Sequence, residues 1–230
     1  MKRLLRISIS VVTGLVGLAI GLFVFARLLG DQEIRYQGKS FSYWCEELGS
    51  AELTSSNRAN AILDDVIIPQ LTNQVLSDTN DSRLRVALVE ALNGLPEFHI
   101  DFTCADGRRA GAIDNLAALG PRALAATPTL LAVVKLNDDT LCGPAAAALV
   151  KLHADPEVVI PILINSLLDR NDHGRPDLVE ALGGFGPKAA VAVPELVKLL
   201  QDRSSKEIML AVHKALKQID PQAAAKAGVN

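Results

Sequence analysis

Apolar positions in this chain recur with one long period. Pro128, Pro161 and Pro194 are 33 apart, and Leu130, Leu163 or Leu196 follows each at the second position. Leu131, Ile164 and Val197 occupy the third position, and Val134, Leu167 and Leu200 the sixth. Upstream, the same register aligns Ile113, Ala146 and Val179, then Leu116, Leu149 and Leu182, then Leu119, Leu152 and Phe185. Spacings of three and four mark one face of an α-helix, so each unit predicts two amphipathic helices. Gly120-Pro121 and Gly186-Pro187 break the chain between them, and His153-Ala154 takes that place in the middle unit. Glycine tolerates unusual dihedrals, and proline disfavours helix in its predecessor. The units read as helix–turn–helix hairpins. One hairpin cannot cover its own apolar surface, so neighbours must stack.

The pattern extends outward with less regularity. Ala59 and Ile62, then Pro69, Leu71 and Val75, suggest an earlier unit. Val89, Leu92 and Leu95 match a first helix, but the next first helix arrives well short of a full period, so the irregular segment 96–107 replaces a second helix. Val212, Leu216 and Ile219 repeat the first-helix stripe with one residue inserted, and an Ala-rich tail after Pro221 allows a short last helix. Ser204 with Glu207 forms a capping-box pattern. Asp155-Pro156 places a capping carboxylate before a proline suited to the first turn. The prolines at 128, 161 and 194 fall early in each second helix, where a missing N–H is tolerated, a kink at each being the alternative.

The N-terminus has a different character. Lys2, Arg3 and Arg6 precede Ile7 to Ala26, which carry no charge. As a helix of about 30 Å this run spans a hydrocarbon core. The basic flank places the N-terminus in the cytoplasm and residues from about 31 onward on the far side. An uncleaved anchor is expected; a signal cleaved after Val24-Phe25-Ala26 is the alternative. Gly17 and Gly21 form a GxxxG pair, which admits a helix dimer or reflects the commonness of glycine in membrane helices. Between anchor and array, Phe41, Trp44 and Leu48 fall on one helical face. That helix either seals the first repeat or lies on the bilayer. The expected divisions are a basic flank 1–6, a transmembrane helix 7–26, a linker and sealing helix 27–50, and a repeat domain 51–230.

Composition narrows the function. Hydrophobic residues make up 49% of 230 and aromatics only 4%, which disfavours a β-sandwich or barrel. The formal charge is −3, but the segment 1–30 holds four basic groups and no acid, so the remainder carries 19 basic and 26 acidic groups. An acidic body repels phosphate backbones, so nucleic acid is not an expected partner. Cys45, Cys104 and Cys142 are odd in number and lack a CxxC spacing, which disfavours a zinc site. They read as buried thiols, with one bridged pair open in an oxidising compartment.

Units such as AIDNLAALGPRALAATPTLLAVVKL and LVEALGGFGPKAAVAVPELVKLLQD resemble HEAT repeats, in particular the short type named from phycobilisome-lyase-like proteins. The resemblance covers about 109–219 well and 51–95 loosely. YQGKSFSYW, residues 36–44, also looks like a lead-in before such repeats in membrane-anchored bacterial proteins. The resemblance implies an all-α fold, an α-solenoid of five to six hairpins behind an N-terminal transmembrane helix, acting as a protein-binding scaffold. Gly143-Pro144 and Arg175-Pro176 occupy helix starts where such repeats often carry an Asp-Arg pattern.

Signals for chemistry are sparse. His99, Asp101 and Cys104 lie together in the irregular segment, but Phe98, Ile100 and Phe102 alternate with them as filler. His153 stands at a turn and His213 on a terminal helix, without an HExxH pattern. Acidic turns at 78–82, 137–139 and 169–172 lack EF-hand spacing and read as caps. No phosphate-loop motif is present. No catalytic residue, cofactor or metal is expected. A bilin-lyase-like enzyme subunit is the alternative implied by resemblance alone, and a secreted binding protein follows if the N-terminal segment is cleaved. Because the resemblance implies that second helices line the concave side, the expected partner face is the positions one and four after each proline. These are Thr129 and Ala132, Ile162 and Asn165, Glu195 and Lys198, continued by Lys135 and Gln201. The candidate set is Thr129, Lys135, Asn165, Glu195, Lys198 and Gln201, facing a protein or peptide.

Overall fold

The computed structural model describes residues 35–50, 52–94, 103–136, 138–169, 175–201 and 205–228. The expected transmembrane helix 7–26, the Gly17/Gly21 pair, His99, Asp101 and His173 lie outside them. Residues 34–79 and 105–230 form one compact unit, and residues 80–104 belong to another. The described residues are overwhelmingly helical.

The larger unit begins with a feature the helical period does not signal. Strands β1 (Arg35–Tyr36) and β2 (Lys39–Ser40) form a two-stranded antiparallel hairpin. Gln37 and Gly38 at its tip have φ of 52° and 75°, the left-handed pair that matches the twist of a tight hairpin. Ser40 then caps α1 (Phe41–Leu48) by accepting from the Tyr43 N–H. Phe41 and Trp44 are buried and α1 packs on α2 (Leu53–Ile62), so the aromatic face is turned into the protein. Tyr36 and Tyr43 pack on Trp44, with ring centroids 6.2 and 5.2 Å away.

From α2 the chain continues through a π-helical turn (Leu63–Ile67) into α3 (Ile68–Ser77). Pro69 sits in the first turn of α3 and lacks the N–H that an α-helix would use there. The wider turn, in which Ile68 N–H reaches Leu63 O, accommodates it. The smaller unit contains α4 (Arg83–Asn93). Back in the larger unit follow α5 (Ala105–Leu119), a 3₁₀ segment (Gly120–Ala126) and α6 (Thr127–Lys135). Next come α7 (Cys142–Lys151) and α8 (Pro156–Asp169). Helix α9 (Arg175–Gly184), a second 3₁₀ segment (Gly186–Ala192) and α10 (Val193–Gln201) repeat the arrangement. Helices α11 (Lys206–Ile219) and α12 (Pro221–Lys226) end it.

The repeat period is visible in the backbone. Gly120, His153 and Gly186 all take left-handed conformations, with φ of 57°, 55° and 59°. At the middle turn, Ala154 N–H bonds Leu149 O and His153 N–H bonds Val150 O, at 3.1 and 3.0 Å. This pair of bonds is a Schellman closure, which satisfies helix-end carbonyls and needs a left-handed residue after the cap. Both 3₁₀ segments carry a fully buried alanine at equivalent places, Ala123 and Ala189. A larger side chain has no room there.

Packing follows one rule through the larger unit. First helices α5, α7, α9 and α11 lie side by side in order. Each second helix packs against the following first helix: α6 on α7, α8 on α9, α10 on α11. Ile113, Leu116, Leu149, Leu152, Val179 and Leu182 are fully buried, as are Leu130, Val134, Leu163 and Leu196. Burial of each such side chain contributes about 1.5–3 kcal/mol, and the repeat positions form one continuous core.

Several details differ from expectation. Pro128 and Pro194 stand in the first turns of α6 and α10, but Pro161 lies inside α8, where it removes one backbone bond. Asp155 caps α8 as expected, its Oδ1 accepting from Glu157 N–H at 3.0 Å. The cap of α11 is Ser205 instead of Ser204; its hydroxyl accepts from Ile208 N–H. Helix α5 begins at Ala105, so the last residues of the expected irregular segment are helical. The stretch with Val89 forms α4, yet α3 takes α5 as its packing neighbour. Among the described residues one stretch, Ala105–Lys135, is apolar enough by length and composition to cross a membrane, but it contains the left-handed Gly120 and packs into the core.

Candidate interaction surface

The outer face of the second helices is the partner surface expected from sequence, and the structure divides the six residues chosen on it. Lys135, Asn165 and Lys198 are exposed. Thr129 is buried, at 8% exposure, and Glu195 is half-buried with its Oε1 2.7 Å from Lys198 Nζ. The side chain of Gln201 lies outside the described residues. The reason for the division is the number of neighbours. Helix α6 has α3 on one side and α8 on the other, besides the core beneath. The position after each proline is therefore buried or half-buried, and the more open stripe runs through the proline itself and its fourth residue, exposed at Asn165 and Lys198 and half-buried at Ala132, with Lys135 continuing it on α6.

A second surface lies along the first helices, which the apolar periodicity passes over because its residues are small or charged. Pro144, Asp177 and Leu210 stand one repeat period apart, as do Ala147, Glu180 and His213, and then Lys151, Gly184 and Lys217. These nine positions share one face of α7, α9 and α11. Between α7 and α9 they bound a groove of about 410 Å³ with Gly143, Ala181 and Gly184 among its lining. Between α9 and α11 a groove of about 650 Å³ is lined by Pro176, Glu180, Leu210, His213, Lys214 and Lys217. Glu180 borders both.

Helix packing makes the first groove. A Cβ at position 143 would collide with the Asp177 carboxylate, and one at 184 would come within 2.8 Å of Val150 Cγ1. Glycine at these places lets α7 and α9 approach and leaves a floor without protruding side chains. Asp177 is exposed and has no hydrogen bond or ion pair among the described residues. Glu180 receives Lys214 Nζ at 3.1 Å, both well exposed, a pair of the kind that contributes little stability. Leu210, which lines the second groove, is 72% exposed. The two grooves thus combine apolar floor, the carboxylates of Asp177 and Glu207 and a basic edge at Lys214 and Lys217.

Elsewhere the polar groups hold the stack together. Arg109 is buried, at 7% exposure, and donates from Nε to Val75 O at 2.8 Å, with Asp106 and Asp138 carboxylates at 3.4 and 3.6 Å. Arg122 donates to both Asp64 oxygens at 2.8 Å. Among the described residues no group of three His, Cys, Asp or Glu side chains is placed to hold a metal ion. Cys142 is buried, with Sγ donating to Val134 O at 3.9 Å, and Cys104 is exposed at the start of α5. Burial raises the Cys45 thiol above its ordinary value, against a smaller lowering by Arg122. No disulfide joins the three. His153 serves the turn through its backbone, and His213 is half-buried in the second groove. Compared with family models, curated proteins and solved structures, this chain matches none.

Proposed function

We propose that this chain is a membrane-tethered α-solenoid of HEAT-like repeats that binds a polypeptide and performs no catalysis itself. The observation that carries the reading is the triplet of left-handed turns at Gly120, His153 and Gly186, spaced by the sequence period within a stack in which each second helix packs on the next unit. Left-handed residues at a fixed period fit a repeat array that builds an extended surface from similar units. The chain's anchor is the charge-free run 7–26 behind its basic flank, with the array on the extracytoplasmic side. The partner surface is the groove system on α7, α9 and α11, where concave space, apolar floor and unpaired charge coincide. A single-helix or extended segment of another protein suits its mixed chemistry better than an anion or nucleic acid.

The test is chemical cross-linking and capture of the full chain from its native membrane, followed by reconstitution with each purified partner. Ala147→Arg fills the first groove from an exposed position, and Asn165→Glu with Lys198→Glu reverses the second-helix face. The expected result is loss of direct binding at least tenfold with Ala147→Arg only. If a directly bound partner is retained by Ala147→Arg in a folded protein, the grooves are not the site. If no protein binds directly in reconstitution, the scaffold reading fails.

A further inference from the structure

Helices α7, α9 and α11 run the same way. Gly143 lies against Asp177 at the starts of α7 and α9, and Gly184 lies against Val150 at their ends. Near the end of α9, Gly183 meets Ala215 of α11 in the same sense. The charges on their shared face follow that direction. In the groove between α7 and α9, Asp177 stands at the start and Lys151 at the end. In the groove between α9 and α11, Glu207 stands at the start, with Lys214 and Lys217 toward the end. Acid near a helix start and base near its end complement the helix dipole. Parallel helices add these preferences into one polarity for the whole face.

Helix α7 shows the arrangement most simply. The Asp177 carboxylate lies over Gly143, so the start of α7 carries a negative group and its end carries Lys151. The rise between the two is about 12 Å. The side chains of Asp177 and Lys151 are exposed and have no hydrogen bond or ion pair among the described residues. Ala147, Ala181 and the exposed Leu210 supply the apolar part of the face. A face with acid along one edge and base along the opposite edge is complementary to itself. A two-fold axis lying in the face and across the helices turns a copy end for end. Lys151 of each copy then meets Asp177 of the other, and every contact occurs twice. An axis along the helices would set like charge on like, which costs several kcal/mol.

We infer that this face pairs with a second copy of the chain, with the first helices of the two copies antiparallel. The inference rests on the reading of the grooves as a polypeptide-binding face and adds the chain itself as an occupant. Three helices about 8–10 Å apart and about 15–20 Å long offer a footprint of about 400–500 Å² per copy. That lies at the lower end of specific interfaces. The dimer is therefore weak and salt-sensitive, and an anchor that holds both copies in one plane raises their effective concentration.

The experiment is sedimentation equilibrium of the full chain in density-matched detergent at about 0.1 mM, in low and high salt. Asp177→Lys and Lys151→Glu are measured singly and as an equimolar mixture, with circular dichroism to show that each is folded. The native chain should dimerise in low salt and dissociate as salt rises. Each variant alone should bind itself about tenfold or more weakly, because like charge meets like. The mixture should recover native association, because the new lysine of one chain faces the new glutamate of the other and the two native charges face each other. A chain that is monomeric in low salt, single variants that associate like the native chain, or a mixture no better than either variant alone would overturn the pairing. A monomeric chain that still loses a purified partner through Ala147→Arg would sink the pairing alone. A rescued mixture with a partner retained through Ala147→Arg would sink only the binding of other proteins in the grooves.

Discussion

His153→Gly isolates one physical cost. His153 holds φ of 55°, where its repeat equivalents Gly120 and Gly186 have no Cβ to strain. A side chain in the left-handed region costs about 1–2 kcal/mol. Glycine removes that cost but adds about 0.5–1 kcal/mol of unfolded-chain entropy. The imidazole is exposed, and the turn's two hydrogen bonds come from backbone N–H groups, so the substitution loses little else. The net expectation is stabilisation by about 0.5–1 kcal/mol, or a midpoint rise of about 1–4 °C for a chain of this size. The converse changes, Gly120→Ala and Gly186→Ala, should destabilise by about 1 kcal/mol each. That cost is conformational, because a Cβ would meet Lys151 O at 3.6 Å and Gln218 O at 3.9 Å, ordinary contacts. Urea unfolding of the full chain in detergent, followed by circular dichroism, compares midpoints directly and needs no two-state assumption. A fall in midpoint for His153→Gly, or no change for both Gly→Ala variants, would refute the equivalence of the three turns.

Two further outcomes follow from burial. Leu149→Ala removes a fully buried side chain from α7 and should cost about 2–5 kcal/mol in urea unfolding; a change below about 0.5 kcal/mol would put Leu149 at the surface and break the repeat register. Alkylation at pH 8, followed by mass spectrometry, should modify exposed Cys104 first, and half-buried Cys45, whose raised thiol holds less thiolate, more slowly. Buried Cys142 should react only on unfolding, and its early reaction would contradict the packing of α7.

Much of the fold is legible residue by residue because its signals are local. A spacing of three and four marks the buried face of each repeat helix, and Ile113, Leu116, Leu149, Leu163 and Leu196 are buried accordingly. Gly120, Gly186 and the histidine in register with them mark left-handed turns, since a helix end demands that conformation whatever surrounds it. Asp155 caps the helix it precedes by a bond to its own chain neighbour. The two short strands escape the sequence pattern because Gln37-Gly38 is a weak turn signal and only four residues pair. The candidate surface is less legible. A single helix's pattern tells which side meets the core, but Thr129 is covered by neighbours of α6 supplied from elsewhere in the chain. The groove between α7 and α9 arises from the approach of backbones at Gly143 and Gly184, which no single-helix period contains. Above all, α4 has the periodicity of a repeat helix, and α3 still packs on α5. The sequence by itself determined where helices begin, turn and hide their apolar faces, because those are bonds and burial within a few residues. Only the tertiary structure decided which helix is next to which, because that choice is made by contacts such as Arg108 with Asp78, far apart along the chain.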